Sequence, residues 1–558
     1  MVFALRQIVT PVRQQVVWEL AWQVDLGLQQ RVMKATIAPV GISHLEDPSS
    51  LDRIEVARGL DGWFGPGQAI NALTNLVTRW LSGAGSALVL ITWKWWFGLI
   101  LVFVAISNSS RSRREFRKVA EVLYGVTGTF RRADYVRDLG LGPLSAKETR
   151  VFGLSNWLTQ RYRDGWTEAM TPVWKSRRSI MGAFLTMAAI GLAVRTGAYL
   201  FVGLSGANGT IDLATTVVLV QAMGGLAALS TISDDHLLLA QGTKPVPAAL
   251  SLEHDTRTKL AVTARGTERA DGRPLECIRF ENVSFRYPGG ASDVFSGLDL
   301  EIEAGQSLGV VGVNGAGKTT LIKLLARMYD PTEGRITVDG IDLREFDAES
   351  WQRRMAAIFQ DFIRYELPAR DNVGLGALAY RDDDAALERA ATRAGASDVI
   401  AGLPKGWDTV LSRQFTDGAD ISGGEWQRVA LARALLAVEA GAGVLVLDEP
   451  TANLDVRSEA QIYDRFLDIT QGLTSIVISH RFSTVRRAER IVVIEGGRLI
   501  EQGTHDSLVS AGGRYAAMYS LQAARFISEA DDGDEADAPA RHDDTMGDDA
   551  SAVGAEAG

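Results

Sequence analysis

The glycine-rich segment GVNGAGKT at residues 312–319 constrains the fold of this 558-residue chain more than any other feature. It follows the apolar run SLGVVGV and precedes the helix-like run TLIKLLARMY. This context fits the pattern G-x-x-x-x-G-K-[ST], in which backbone N–H groups and a helix N-terminus surround phosphate oxygens. The segment therefore predicts an α/β sheet with an anion site, where Lys318 faces the β and γ phosphates and Thr319 can ligate magnesium.

A second strand-like run, GVLVLDEP at residues 443–450, ends in two carboxylates. Buried parallel strands of this composition bring the residues that follow them to the ligand-binding edge of a sheet. Asp448 suits a magnesium shell, and Glu449 suits the orientation or deprotonation of an attacking water. The alternative interpretation is that the acidic pair only caps a helix.

A third stretch, DISGGEWQRVALARALL at residues 420–436, has a second set of features suited to holding an anion. Ser422 offers a hydroxyl, and Gly423 and Gly424 permit close approach of the backbone. The apolar-periodic helix that follows directs its positive end at the same place.

The first half of the chain has the composition of a membrane domain. Residues 213–233 carry no charge over 21 positions, and residues 179–204 are interrupted only by Arg195. Residues 80–110 are apolar apart from Lys94 and, extended back to residue 69, predict two helices that turn at WKWW, residues 93–96. We therefore expect four membrane helices. The alternative is a set of buried helices in a large soluble core.

The flanking charges predict an orientation for these helices. The basic runs RSRREFRK at 111–118 and KSRR at 175–178 bracket a long polar stretch, whereas the loop at 205–212 has no Lys or Arg. By the positive-inside rule the long stretch is cytoplasmic and the short loop is outside. Arg195 is expected to face an inner cavity, to lie near a helix end, or to snorkel.

The acidity of the protein belongs to its C-terminus. The formal net charge is −10. Residues 529–558 hold eleven acidic residues and one Arg, a net of −10, so the remaining residues are balanced at 57 basic and 57 acidic. A tail with so few large apolar residues is predicted to be disordered. The single cysteine, Cys277, excludes an intramolecular disulfide framework and a cysteine metal cluster.

Five motifs together carry a family resemblance: GVNGAGKTT, IFQDF, DISGGEWQR, VLVLDEPTANLD and VISHRF. In order and spacing, residues 279–524 resemble the ATPase domain of ABC transporters. The resemblance implies ATP and Mg²⁺ as cofactors, adenine stacking by Tyr287, and a multidomain fold of an all-α transmembrane domain followed by an α/β P-loop ATPase domain and a disordered acidic tail. It implies nucleotide contacts from Tyr287, Gly312, Asn314, Gly315, Gly317, Lys318, Thr319, Thr320, Ser422, Gly423, Gly424 and Asp455.

The same resemblance assigns catalytic roles. Glu449 is the base, Gln360 resembles the glutamine that links the magnesium and water site to the membrane domain, and His480 resembles the histidine that contacts the γ-phosphate. The implied metal-binding residues are Thr319, Gln360 and Asp448. Each residue alone has an ordinary structural reading, and it is their joint order that favours the functional one.

The stretch around Ser422 resembles the signature motif, usually Leu-Ser-Gly-Gly-Gln, which reaches a phosphate held by a partner subunit. The resemblance therefore implies a dimer, with homodimer and heterodimer both open. Ile421 stands where Leu is usual, and Glu425 stands where Gln is usual. Glu425 is expected to bring negative charge nearer the phosphates, which fits an asymmetric heterodimer slightly better than two equal sites.

The membrane half resembles exporters with both domains on one chain. Residues 39–59 and 146–158 look like their two cytoplasmic loops. Such exporters usually have six membrane helices, so either this sequence starts late or it is a shortened half-transporter. The predicted domains are 1–240 (transmembrane, about four helices with long cytoplasmic extensions), 241–275 (linker), 276–526 (ATPase) and 527–558 (tail), with the ATPase domain and tail on the cytoplasmic side of the cell membrane.

The predicted function is ATP-driven export of a hydrophobic, peptide-like or lipid-like solute, with the lipid bilayer and a second ABC chain as partners. One alternative is a truncated or degenerate protein that hydrolyses ATP in a regulatory role without transport. Another is a soluble-type ABC ATPase that acts on nucleic acid or ribosomes. The apolar runs between residues 80 and 233 argue against the latter, so no nucleic acid partner is expected.

Overall fold

The computed structural model describes residues 2–59, 65–143, 145–230, 234–259, 266–449, 472–479 and 481–522. The chain divides into two compact units, Met1–Thr263 and Ala264–Gly558. The first is helical and the second is an α/β unit, which confirms the predicted fold class. The predicted acidic tail, residues 527–558, lies outside the described residues.

The described part of the first unit consists of helices. Their bounds are α1 Val2–Ile37, α2 Ser43–Glu46, α3 Pro48–Ala57, α4 Pro66–Trp93, α5 Trp95–Gly125, α6 Thr127–Leu141, α7 Ala146–Val151, α8 Ser155–Ala207, α9 Leu213–Ser230, α10 Asp234–Gly242 and α11 Pro245–Lys259.

The turn predicted at WKWW is present between α4 and α5. Lys94 has an extended backbone, with φ −141° and ψ 108°, and this single residue separates the two helices. Its ammonium lies 5.0 Å from the centre of the Trp93 ring and 5.1 Å from that of Phe201. Phe97 completes this aromatic cluster, with its ring centre 5.5 Å from that of Phe201. A cation held against aromatic rings is typical of a membrane–water boundary.

Two of the four expected spans meet the length and hydropathy required to cross a membrane. Among the described residues these are α4 and the apolar part of α8, while the apolar helix Leu213–Leu226 is shorter. Helix α5 falls short because its apolar part ends where Arg111 begins a run of basic residues. By length and composition alone, the structure supports fewer spans than the sequence predicts.

Part of the predicted linker, residues 241–275, is helical. Helix α11 covers Pro245–Lys259, and its Ala249 and Leu252 are buried in a cluster with Leu28, Val32, Ala35 and Ala57 from α1 and α3. Burial of these two side chains against α1 and α3 offsets part of the entropy of ordering the segment.

The described part of the second unit contains two sheets. A four-stranded antiparallel sheet has the order β2-β1-β4-β5, and a six-stranded sheet has the order β10-β9-β3-β8-β7-β6. The strands are β1 Cys277–Phe285, β2 Phe295–Glu303, β3 Ser307–Val311, β4 Glu333–Val338, β5 Ile341–Asp342, β6 Met355–Ile358, β7 Val444–Asp448, β8 Thr474–Ile478, β9 Arg490–Glu495 and β10 Arg498–Gly503.

The described helices of the second unit pack against its sheets and form an adjoining helical layer. They are α12 Lys318–Leu325, α13 Ala348–Gln352, α14 Ala369–Gly374, α15 Asp384–Ala394, α16 Ser397–Ala401, α17 Gly423–Glu439, α18 Phe482–Val485 and α19 His505–Ala511. A large buried cluster of this unit packs α14, α15 and α17 against β6 and β7.

The topology of the six-stranded sheet positions the site. Strands β3, β8, β7 and β6 run parallel, and β9 pairs parallel with β3 on its other side. The C-terminal ends of β3 and β7 therefore lie at the same edge, with β8 between them. This edge is where ligands of open α/β sheets bind.

Candidate nucleotide site

The phosphate loop joins β3 to α12 and requires glycine at its last position. Gly317 has φ +99°, and a Cβ atom there would lie 2.8 Å from the Phe295 ring. Lys318, the first residue of α12, is buried, and its ammonium donates to the carbonyl oxygens of Gly312 at 2.9 Å and Val313 at 3.2 Å. Burial lowers the pKa of Lys318, while Glu449 and Asp448 oppose that shift. The Lys318 side chain thus lies across the phosphate loop, whose backbone N–H groups can donate hydrogen bonds to phosphate oxygens.

Asp448 and Thr319 meet across the sheet edge. The Thr319 hydroxyl donates to a carboxylate oxygen of Asp448 at 2.9 Å. Asp448 ends β7 and is only 1% exposed, and burial raises its pKa, opposed by this hydrogen bond. A hydroxyl and a carboxylate are oxygen ligands that Mg²⁺ prefers, and with two of them from the protein, phosphate oxygens of the substrate can supply others. The donor set therefore fits magnesium.

Glu449 occupies a strained backbone position beside this pair. Its φ is +49°, a conformation that non-glycine residues adopt rarely and at a cost of about 1–2 kcal/mol. Its N–H donates to the carbonyl of Ile478 at 2.8 Å, which fixes the backbone to β8. The Gln360 amide donates to the Glu449 carboxylate at 2.9 Å. The structure thus brings together two residues that lie 89 positions apart in sequence.

Tyr287 packs close to the phosphate loop. Its hydroxyl and that of Thr320 are 3.0 Å apart, and its ring meets those of Phe285 and Tyr329 edge-on at 5.0 and 5.3 Å. The Lys323 ammonium lies 5.2 Å from the ring centre. The sequence motifs do not predict this contact of Lys323, which lies on α12 one turn after the loop.

The signature residues form a helix N-terminus of their own. Ser422 caps α17: its hydroxyl accepts the N–H of Glu425 at 3.3 Å, and its N–H donates to the Glu425 carboxylate at 2.7 Å. This capping box satisfies two backbone donors. The N–H groups of Gly423 and Gly424 take no part in it. The hydrogen bond from the Ser422 backbone lowers the pKa of Glu425, so this carboxylate is charged and held to its own helix.

Two predicted residues, His480 and Asp455, lie outside the described residues. The structure assembles Lys318, Thr319, Asp448, Glu449 and Gln360 at one edge of the sheet. Asn314 and Gly315 are exposed on the phosphate loop. Ser422, Gly423 and Gly424 lie at the start of α17. Within the described residues, none of the three forms a side-chain hydrogen bond with the phosphate loop.

A parallel sheet with a phosphate loop, a buried Asp and a following Glu at one edge defines a P-loop ATPase. Residues 295–452 match the family model described as "ABC transporter". The chain is 40% identical over 255 residues to the ATP-dependent lipid A-core flippase of Chromohalobacter salexigens, covering 46% of this chain and 42% of that protein. It is 31% identical over 436 residues to that of Alkalilimnicola ehrlichii, covering 76% and 68%.

Two further likenesses extend along most of the chain. The subtilin transport ATP-binding protein SpaT of Bacillus subtilis is 26% identical over 515 residues, with 89% of this chain and 80% of that protein covered. A solved structure titled "Structure of a bacterial Atm1-family ABC exporter with ATP bound" has a TM-score of 0.69 at 25% identity, covering 93% of this chain and 87% of that one. The chain belongs to the ABC transporter family, as an exporter-type half-transporter with fused membrane and ATPase domains.

Proposed function

We propose that this protein exports a hydrophobic, peptide-like or lipid-like solute across the cell membrane, driven by ATP hydrolysis at sites shared between two chains. The observation that carries the proposal is the pair of contacts Thr319–Asp448 and Gln360–Glu449 at one sheet edge. These contacts support the proposal that Thr319 and Asp448 are metal ligands and that Glu449 is the base, because all three lie at the sheet edge that holds the phosphate loop.

We assign a separate role in ATP hydrolysis to each of these residues. Lys318 and the phosphate-loop N–H groups balance phosphate charge, and Glu449 orients and deprotonates the attacking water. Thr319, Asp448 and Gln360 would hold magnesium, which neutralises charge on the phosphate oxygens when bound. The hydrogen bond from Gln360 holds the carboxylate of Glu449 beside this position. His480 is proposed to steady the γ-phosphate, and Ser422, Gly423, Gly424 and Asp455 to complete the partner's site.

The solute class is inferred from a cavity within the first unit. This cavity of about 760 Å³ has apolar walls that include Phe130, Trp166 and Met170, with Arg131, Arg137 and Arg177 at its surface. Arg131 pairs with Asp52 at 2.6 Å, and Arg137 pairs with Asp134 at 2.7 Å. Mixed apolar and charged walls suit an amphipathic solute. Relatives named as lipid A-core flippases and a subtilin transport protein agree with this class.

The test is ATP hydrolysis and transport by the full chain in proteoliposomes. We expect Glu449→Gln to lower hydrolysis about 10²–10⁴-fold, as loss of a general base does. Glu345→Gln, at an exposed carboxylate of the same unit, is the matched control and should be unchanged. Hydrolysis at the normal rate by Glu449→Gln would show that another group is the base.

Transport is measured on the same vesicles with fluorescent lipid and peptide solutes. ATP-dependent movement that Glu449→Gln abolishes is the expected result. Hydrolysis of ATP at a high rate, without transport of either the lipid or the peptide solute, would favour the regulatory alternative over export.

A further inference from the structure

A second cavity in the helical unit lies apart from the large one. It has a volume of about 300 Å³ and is bounded by α4, α5 and the segment from α10 to Lys244. Its apolar walls include Leu76, Trp80 and Leu239, and its cations are Arg113, Arg117 and Lys244. We name it the interface cavity.

The interface cavity has an excess of positive charge. Its lining carries three cations and, among the described residues, one carboxylate, Glu121, a net of +2 from these side chains. Asp235 on α10 lies nearby, but it pairs with Arg79 at 3.4 Å and accepts from the Asn75 amide at 3.3 Å. Cations gathered around a confined space are stabilised by an anion that enters it.

One of the cations is held in place by an aromatic wall. The Arg113 guanidinium lies 5.6 Å from the centre of the Trp80 ring, and its Nε donates to the Ser109 carbonyl at 3.4 Å. Within the described part of the chain, no carboxylate forms an ion pair with Arg113, Arg117 or Lys244. The neighbouring Lys118, in contrast, pairs with Glu115 at 2.9 Å. The cations that line the cavity are therefore the ones available to a ligand.

The α5 cations of this cavity lie just beyond the apolar part of their helix. Helix α5 is apolar from Trp95 until its basic residues begin at Arg111, about 24 Å at 1.5 Å per residue and close to the roughly 30 Å of a hydrocarbon core, and Arg113 and Arg117 follow within about the next 9 Å. The interface cavity thus lies at the level of lipid headgroups on the side opposite the aromatic turn, where basic residues meet anionic lipid.

We propose that the interface cavity binds the phosphate headgroup of an anionic membrane phospholipid, with Arg113, Arg117 and Lys244 around the phosphate. Leu76, Trp80 and Leu239 provide the apolar wall that the glycerol and first acyl carbons require. The inference concerns a resident lipid and stands whether or not the exported solute is a lipid, because it rests on a different cavity from the transport proposal.

The test is native mass spectrometry of the full chain in detergent, titrated with dioleoylphosphatidylglycerol or dioleoylphosphatidylcholine. We expect phosphatidylglycerol adducts to survive at higher activation energy and to form at lower concentration than phosphatidylcholine adducts. Each of Arg113→Gln, Arg117→Gln and Lys244→Gln should weaken phosphatidylglycerol binding about fivefold, and Glu121→Gln should strengthen it by a similar factor.

The matched controls are Arg114→Gln and Lys118→Gln, which remove a positive charge from the same helix at exposed positions outside the cavity lining. Both should bind the lipid within about twofold of the unchanged protein. Thermal unfolding of each variant in the same detergent, followed by tryptophan fluorescence, verifies that the helical unit is folded, since most of the tryptophans lie in that unit. Glu121→Gln is expected to strengthen lipid binding, whereas the other cavity variants weaken it. A general loss of folding would weaken binding in all of them and could not produce this result.

Two results would overturn the proposal. Equal loss of lipid binding in the cavity and control variants would mean that only the general basic charge of α5 attracts the lipid. Displacement of phosphatidylglycerol by inorganic phosphate or glycerol 3-phosphate at equal concentration would make the cavity a site for soluble phosphates. Failure of export would leave these lipid measurements unaffected, so the two proposals are tested separately.

Discussion

The phosphate loop and the signature turn are both glycine-containing turns that lead into a helix N-terminus, yet they differ in what surrounds them. Around the phosphate loop, Lys318 is buried and Asp448 and Glu449 stand opposite. At the signature turn, Ser422 is exposed and its contacts are with its own helix through Glu425. The phosphate loop is surrounded by charged residues of its own chain, whereas the described side-chain hydrogen bonds of the signature turn stay within the start of α17.

This difference has a functional meaning. Burial of a lysine and an aspartate beside one another is costly, and perturbed groups of this kind cluster at functional sites. We therefore propose that the phosphate loop binds phosphate by itself. The signature turn is stable without any ligand because its capping box satisfies the helix end. It can therefore contribute to a phosphate site only when another surface brings the phosphate to it.

The largest expected effect separates the two turns by ATP binding. Lys318→Met should weaken ATP binding to the full chain about 10- to 100-fold, since it removes a charge-assisted contact of about 1.5–3 kcal/mol. Ser422→Ala should weaken ATP binding less, by about 2- to 10-fold, since it removes at most one neutral hydrogen bond of about 0.5–1.5 kcal/mol from the partner's site. Equilibrium titration with a fluorescent ATP analogue measures both. Lys405→Met, at an exposed lysine paired with Asp417, is the control.

The second effect concerns magnesium. Asp448→Asn should raise the Mg²⁺ concentration for half-maximal hydrolysis by at least about tenfold. Because burial raises the pKa of Asp448, protons should compete with the metal at a higher pH than at an ordinary aspartate. Mg²⁺ affinity of the unchanged protein should fall as the pH is lowered, and that of Asp448→Asn should depend less on pH. An equal pH dependence in both would assign the titration to another group.

A smaller effect tests the cap of α17. Ser422→Ala should lower the free energy of unfolding of the ATPase unit by about 1 kcal/mol, the usual value of a serine N-cap, while Ser422→Asp retains the cap. Denaturant unfolding followed by tryptophan fluorescence measures this. If Ser422→Ala and Ser422→Asp unfolded alike, the hydroxyl would not be the cap.

The smallest effect concerns Glu425. Glutamine also completes a capping box, so Glu425→Gln should change stability by less than about 0.5 kcal/mol and hydrolysis by less than about twofold. The lowered pKa of Glu425 means that its charge stabilises the fold above its unfolded pKa, and that this contribution is lost as the pH falls through the lowered folded pKa. Glu425→Gln should reduce that loss. A large gain in hydrolysis by this variant would show that the charge acts on the phosphates.

The sequence predicts the phosphate-binding side of the site well because the motifs specify local geometry. The strand, loop and helix around Lys318 and the strand that ends at Asp448 lie where the patterns place them. The role of Glu425 could not be predicted from the sequence in the same way. A residue type at a helix start does not reveal whether its carboxylate faces a ligand or its own N-cap, and the structure shows the second arrangement.

The membrane half is harder to predict for a physical reason. Hydropathy locates the turn at Lys94, but it does not mark where a spanning helix becomes a cytoplasmic one. Helix α8 runs without a break from Ser155 to Ala207, through both the polar stretch and the apolar run. The charge clusters predict an orientation, whereas the surroundings of Arg113 and Lys244 depend on which helices pack together.

The central claim, that each hydrolysis site is completed by a second chain, is tested most directly by mixed dimers. Copies carrying Lys318→Met and copies carrying Ser422→Ala, each with its own tag, are co-expressed, and the doubly tagged complex is purified. In a two-fold dimer with shared sites, one site holds both defects and the other holds neither, so hydrolysis should reach about one tenth to one half of the unchanged dimer. Each variant alone should be nearly inactive. A doubly tagged complex no more active than either variant would contradict the account and place both turns in one site of the same chain.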